Sequence, residues 1–282
     1  MGSTGSGPDD YLRDYHRRRP GATAAALALY PIESGGQIFA SSYHYLAGKL
    51  RPCRTSCKVL DLACGDGYLL GLIGERGESG PELLGVDFSD AELTAAQSRL
   101  AGAAQLVLAD ARHLPLRGRS MDVVVSHMAL MLIDDVSSVI REVRRVLRPG
   151  GRLAAVVGRS RDGADRDAVF PLIQAAVRNS GSLAALPMGD PRTRSSEGLI
   201  ALLAGAFERI TICDLDCHFR LAPAAYWEGL QATYTVDVLT TEQQLDLRAR
   251  VLQAIEPLVE QDGRVATNFA MRYFEASVAA AI

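Results

Sequence analysis

Val59-Leu60-Asp61-Leu62-Ala63-Cys64-Gly65-Asp66-Gly67-Tyr68-Leu69-Leu70 is the stretch that decides how this chain folds. A short apolar run suited to a buried strand ends in a small loop carrying two glycines. Apolar residues at helical spacing follow: Tyr68, Leu69, Leu70, Leu72 and Ile73. In a strand–turn–helix opening of this kind the backbone comes closer to a ligand than a Cβ would permit. The next apolar run, Leu83-Leu84-Gly85-Val86, ends in Asp87, twenty residues after Gly67. That spacing sets a carboxylate beside the loop, where it can accept hydrogen bonds from ribose hydroxyls. A nucleotide-type cofactor is implied.

The loop chemistry narrows the cofactor. A nicotinamide-binding loop wants a third small residue for close helix–strand packing, with a pyrophosphate at the helix N-terminus. Here that position is Leu70, and Asp66 lies inside the loop, where its charge would repel a pyrophosphate. Asp61 adds a second carboxylate four residues before Gly65. Acidic groups suit a ligand that carries an ammonium and a sulfonium. With its acidic-x-x-x-Gly-x-Gly motif the sequence resembles the class I S-adenosylmethionine-dependent methyltransferases.

The centre of the chain alternates strand and helix, the pattern of a parallel sheet with crossovers. Strands are expected at about 57–63, 82–87, 105–109, 121–126 and 152–157. Ser89-x-x-Glu92 reads as a capping box opening a helix that runs to about Leu100. Val136, Val139, Ile140, Val143, Val146 and Leu147 form the stripe of a helix packed on a sheet. Pro149-Gly150-Gly151 ends it. Residues 159–205 break the alternation with Gly, Pro, Arg and Asp clusters around short helical patterns. Further strands are expected at 208–215 and 268–278, with helices over 222–231 and 241–260, the latter opened by Thr240-x-x-Gln243. The resemblance implies an α/β, Rossmann-like sheet of seven strands in the order 3-2-1-4-5-7-6, the last strand antiparallel. It implies an N-terminal helical cap and a helical insertion after the fifth strand. Residues 1–52 are thus read as a disordered lead and cap, and 53–282 as the cofactor-binding domain, with 159–205 as its substrate-side insertion.

Composition excludes several classes. The 282 residues are 48% hydrophobic with a net charge of −3, which describes a globular protein with ample core. A general nucleic-acid binder would carry a basic surplus, and the one basic run, Arg17-Arg18-Arg19, reads as a solvated helix end. No apolar run approaches the roughly 20 residues that cross a membrane. Met1 to Pro8 lack the apolar core of a signal peptide and read as a lead or cloning remnant, so a cytoplasmic location is expected. Cys53, Cys57, Cys213 and Cys217 have three-residue rather than two-residue gaps and lie in or beside strand-like runs. Buried free thiols are expected there rather than a zinc ribbon, and no metal site.

The resemblance also implies roles for matching residues. Asp61, Ala63, Cys64, Gly65 and Gly67 should hold the aminopropyl-carboxylate end of S-adenosylmethionine, with Asp61 reaching its ammonium. Asp87 should hold the ribose hydroxyls and Phe88 the adenine face. Asp110, with Ala111 beside it, should accept from the adenine amino group. Ser126, His127 and Met128 should line the methyl group. Each aspartate alone reads equally well as a cap or turn residue; several at consecutive strand ends point to one ligand. Methyl transfer needs a base only for a poorly ionised nucleophile. The candidates are His127, beside the expected methyl position, and Tyr15, His16 and His44 on the N-terminal helices.

The substrate class is argued from missing motifs. Ser126-His127-Met128-Ala129 stands where amine-directed enzymes of this fold carry Asn/Asp-Pro-Pro-Tyr, and Pro52-Cys53 is misplaced for a cytosine C5 nucleophile. What remains resembles the small-molecule branch, akin to ubiquinone/menaquinone and natural-product methyltransferases. Its acceptor pocket would draw on Tyr11, Tyr15, Tyr43 and Tyr45, and on Phe170, Met188, Tyr226 and Trp227, each of which also reads as ordinary core. A cyclase of the same fold and an RNA or protein methyltransferase stay open as alternatives. The N-terminal helices (Asp10 to Arg19, then Phe39 to Leu50) are expected to close over the cofactor; a subunit contact is the other reading, which leaves a homo-oligomer open.

Overall fold

A computed structural model describes residues 7–50, 56–75, 80–159, 163–181 and 188–280. The expected boundary at 52/53, and Cys53 with it, lies outside them. The chain opens with helices α1 (Pro8–Arg18) and α2 (Ala22–Leu27), strands β1 (Ile32–Ser34) and β2 (Gln37–Phe39), and helix α3 (Ser42–Lys49). An alternating run follows: β3 (Lys58–Leu62), α4 (Tyr68–Gly74), β4 (Glu82–Asp87), α5 (Asp90–Leu100), β5 (Gln105–Leu108), β6 (Met121–His127), α6 (Val136–Val146) and β7 (Leu147–Gly158). Then come α7 (Ala164–Ser180), α8 (Ser196–Leu203), β8 (Arg209–Leu221), α9 (Pro223–Gln231), α10 (Tyr234–Asp237), α11 (Thr241–Ile255) and β9 (Val265–Ser277).

The strands form one sheet in the order β2-β1-β8-β9-β7-β6-β3-β4-β5. β3 pairs in parallel with β4 and β6, β4 with β5, and β6 with β7, while β9 runs antiparallel to β7. The seven expected strands therefore lie in the expected order. Among the described residues the sheet has nine strands and not the expected seven, because the hairpin β1–β2 continues it beyond β8. β2 also takes Phe39 out of the expected second N-terminal helix. That helix begins at Ser42, with the Ser41 hydroxyl accepting the His44 N–H as its cap.

The described residues divide into two compact units, and β8 and β9 contribute to both. The larger draws on His16–Arg159, Met188–Leu215 and Met271–Ile282. Its core joins Leu60, Leu62 and Val86 of the parallel strands to Val136, Val139, Ile140, Val143 and Val146 of α6, all at most 3% exposed. The helical stripe is thus fully spent on the sheet, where each such side chain contributes roughly 1.5–3 kcal/mol on burial. The smaller unit draws on Met1–Tyr15, Ser160–Pro187 and Asp216–Ala270. Its core packs Val169 and Ile173 of α7 with Tyr226 and Trp227 of α9 and Leu247, Val251 and Ile255 of α11. The capping box expected at Thr240 and Gln243 opens α11 in full. Among the cysteines, Cys57 is disulfide-bonded, which corrects its reading as a free thiol; Cys64, Cys213 and Cys217 are free.

Candidate cofactor and active site

All the elements that converge here belong to the larger unit. β3, β4, β5 and β6 run in parallel, so their carboxyl ends deliver Asp61, Asp87, Asp110 and His127 to the same edge of the sheet. After β3 the chain turns through left-handed backbone at Ala63 (φ 58°), Gly65 (φ 53°) and Gly67 (φ 75°) before α4 begins. The Cys64 N–H donates to the Val86 carbonyl (3.0 Å) and the Gly67 N–H to the Cys64 carbonyl (3.0 Å), which fixes the loop. The two glycines have different reasons. A Cβ on Gly67 would stand 2.8 Å from Leu100 Cδ1 and 3.1 Å from Ala96 Cβ, so this glycine serves the packing of the loop on α5. A Cβ on Gly65 would meet only Glu92 Oε2, at 3.7 Å. Only Gly65 leaves its face of the loop open to a ligand.

Around the loop four carboxylates are buried: Asp61 (1% exposed), Asp66 (7%), Asp87 (4%) and Glu92 (4%). Asp66 is neutralised by Arg99, whose Nη2 lies 2.5 Å from Oδ2 and whose Nε donates to the Asp66 carbonyl. The charge read from sequence as facing a ligand is therefore paired with α5. Asp87 accepts the N–H groups of Gly65 (2.8 Å) and Ser89 (2.9 Å), leaving lone pairs to spare. Burial pushes its pKa up, and those backbone hydrogen bonds offset part of the rise. Asp61 has the least support. Its Oδ2 is buried with no hydrogen-bond partner among the described residues. Burial first, then the charges of Asp87 and Asp66, hold its pKa well above the usual carboxylate range. An unpartnered carboxylate of this kind is costly unless a cation or donor arrives. Among the described residues no group of His, Cys, Asp and Glu is arranged to hold a metal ion.

At the end of β6 the Ser126 hydroxyl donates to the Leu62 carbonyl (2.9 Å), tying β6 to β3. Met128 takes a left-handed conformation (φ 57°) and its N–H donates to the Val156 carbonyl. His127 is 6% exposed. Its Nε2 is 2.9 Å from the Ser42 hydroxyl and its ring stacks on Tyr43 with centroids 3.6 Å apart. Its Nδ1 is buried without a hydrogen-bond partner among the described residues. Burial lowers its pKa to about 3, so the ring is neutral. Tyr43 in turn meets Tyr68 edge-on at 5.0 Å.

The other expected residues divide. His16 meets Phe88 edge-on at 6.2 Å and its Nδ1 lies 3.6 Å from Glu92 Oε1; burial lowers its pKa to about 4. Asp110 is gripped by Arg112 through its backbone N–H, Nε and Nη2, at 2.7–3.0 Å. Burial would raise its pKa, and the Arg112 hydrogen bonds outweigh that and lower it. Ala111 packs on the core beneath. His44 is turned to Ser41, with Nδ1 2.8 Å from the hydroxyl. Tyr15 belongs to the smaller unit, where its hydroxyl donates to the Ala232 carbonyl (2.7 Å) and its ring meets Tyr234. Tyr226 and Trp227 are core there, and Tyr45 packs between Phe39 and Tyr273. Among the aromatics expected around a pocket, Tyr43 stacks on the site residue His127.

Sequence reasoning missed Ser42, Arg99 and the carboxylate of Glu92 as members of this cluster. Glu92 was legible only as a capping residue, and the Ser89 hydroxyl does accept its N–H. Its carboxylate goes instead to the N–H of Gly21.

Residues 60–155 match the methyltransferase domain family. The chain is 31% identical over 150 residues to the ubiquinone/menaquinone biosynthesis C-methyltransferase UbiE of Desulfotalea psychrophila, covering 53% of this chain and 57% of that one. It is 28% identical over 206 residues to the nocamycin O-methyltransferase of Saccharothrix syringae, covering 72% and 67%. The chain spans about two fifths of the length of other curated relatives that it matches. Among solved structures it shares its fold with the phosphoethanolamine N-methyltransferase 2 of Haemonchus contortus bound to S-adenosylhomocysteine, at a TM-score of 0.60 and 15% identity, covering 99% of this chain and 61% of that one.

Proposed function

We propose that this chain, whose residues 60–155 match the methyltransferase domain family, is a class I S-adenosylmethionine-dependent methyltransferase that transfers a methyl group to an oxygen, nitrogen or carbon atom of a small metabolite. The observation that carries the reading is the buried, unpartnered Oδ2 of Asp61 beside the open face of Gly65. A cationic ligand relieves both the lost hydration of that carboxylate and its repulsion by Asp87. S-adenosylmethionine fits this donor set. Asp61 would receive the ammonium, Asp87 the ribose hydroxyls through its spare lone pairs, and Phe88 and Ala111 would flank the adenine. Asp110 would contribute less than expected, because Arg112 already occupies its carboxylate.

The bound cofactor supplies a methyl group already activated by its sulfonium, which leaves the protein the tasks of alignment and water exclusion. His127 serves here as a neutral hydrogen-bonding group. With its pKa near 3 it is a poor acceptor of a proton from a weakly acidic hydroxyl. This favours an acceptor that is nucleophilic without help, such as a carboxylate, a stabilised enolate or a neutral amine. Similarity to enzymes named for quinone and nocamycin substrates supports a small-molecule acceptor and a natural-product tailoring step. Incubation with methyl-labelled S-adenosylmethionine and matched sets of carboxylic acids, enols, phenols and amines tests this. Label should appear in acids, enols or amines with formation of S-adenosylhomocysteine. Label confined to unactivated phenols would refute the assigned role of His127, and rearranged but unlabelled product would refute methyl transfer.

A further inference from the structure

The Glu92 carboxylate has a task that neither helix capping nor cofactor binding requires. Both of its oxygens accept the N–H of Gly21, at 3.1 and 3.0 Å, across 71 residues of sequence. Gly21 has a left-handed conformation (φ 72°), and a Cβ there would stand 2.8 Å from Asp66 Oδ2. The backbone at this point therefore lies directly against the loop that carries Gly65 and Gly67. Glu92 also faces the open side of Gly65, and His16 stands 3.6 Å from its Oε1. Two carboxylates from the same cradle thus meet one turn of the N-terminal segment, Glu92 by accepting its N–H and Asp66 by close approach.

We propose that Glu92 is a positioning residue that latches the turn at Gly21 onto the cofactor loop. The latch orders residues 16–21 beside the cradle, so that cofactor binding and closure of this segment assist each other. It rests on the cofactor reading above only for that last coupling. Burial drives the pKa of Glu92 up to about 7, the Gly21 N–H lowers it and the charges of Asp87 and Asp66 raise it.

The test uses the exposed Arg17 and Arg18 as tryptic reporters in the full chain, with cleavage sites read by mass spectrometry. Glu92→Ala leaves the part-buried Gly21 N–H without its acceptor, so cleavage after Arg17 and Arg18 should accelerate about tenfold or more. Glu92→Gln keeps an acceptor oxygen and should restore most of the protection. S-adenosylhomocysteine should slow cleavage of the unmodified protein and of Glu92→Gln, but not of Glu92→Ala. Cleavage of Glu92→Ala at the unmodified rate would overturn the proposal, as would a Glu92→Gln variant no better than alanine. Should Glu92→Ala not fold, amide exchange in the unmodified protein decides: a Gly21 amide protected like the core supports the latch, and one exchanging like open chain overturns it. Release of the segment in Glu92→Ala with no ligand protection in any variant would uphold the latch while refuting the cofactor reading.

Discussion

His127 exchanges water for a stacked tyrosine and a serine hydroxyl, and the consequence is thermodynamic as well as chemical. Its pKa falls from 6.5 to about 3 because the imidazolium is disfavoured by burial. Below pH 6.5 the unfolded chain binds a proton that the folded chain does not, so this group's stability is present above pH 6.5 and is lost as pH falls toward 3. His16 acts in the same direction, with its pKa lowered to about 4. Each pH unit in that window is worth about 1.4 kcal/mol per group. Replacing His127 with Asn should therefore reduce the loss of stability between pH 6.5 and pH 5 by about 2 kcal/mol. Urea unfolding at the two pH values measures it, and an unchanged loss would show that the imidazole is charged in the folded chain. At this same scale, Tyr15→Phe removes the hydroxyl that donates to the Ala232 carbonyl. It should cost about 1 kcal/mol in thermal unfolding without weakening cofactor binding; weakened binding would return Tyr15 to the candidate site residues.

At the scale of elements, the loop between β3 and α4 separates two properties that sequence reads as one. Gly67→Ala drives a methyl group against Leu100 and Ala96, so it should destabilise the fold by about 1–3 kcal/mol. Gly65→Ala meets only Glu92 Oε2, at an ordinary contact distance of 3.7 Å, and should keep the fold nearly intact apart from the roughly 1–2 kcal/mol of left-handed strain. Its methyl group, however, projects where the ligand backbone contact is needed, so affinity for S-adenosylmethionine should fall. Thermal melts and calorimetry on the pair would contradict this account if the two variants behaved alike. The motif made both glycines legible, but which face of the loop each served depended on α5. The same limit hid the partners of Asp66 and Glu92, because Arg99 and Gly21 stand 33 and 71 residues away in sequence. The hairpin β1–β2 was missed for another reason. Gly35-Gly36 is a good two-residue turn, but the three-residue strands flanking it are too short to establish a period of two.

For the whole molecule, what sequence revealed was what local rules govern. Alternating buried strands and the apolar stripe of α6 specify a parallel sheet with crossovers, and parallel strands deliver their carboxyl ends to one edge. Asp61 and Asp87 follow from that geometry and the loop motif, while Asp110 and His127 were placed by the resemblance to the methyltransferase family. The N-terminal residues that join them, Ser42 and Gly21, come from tertiary packing and carry no motif. The larger unit thus concentrates buried carboxylates around an open loop face, with one oxygen of Asp61 left for a cation. The most direct measurement is calorimetric titration of S-adenosylmethionine into the unmodified chain and into Asp61→Asn, which keeps the shape and removes the charge. One equivalent should bind the unmodified protein, and the asparagine variant, melting at a similar temperature, should bind about tenfold or more weakly. No binding by the unmodified protein, or equal affinity in the variant, would contradict the assignment of this cluster as the cofactor site.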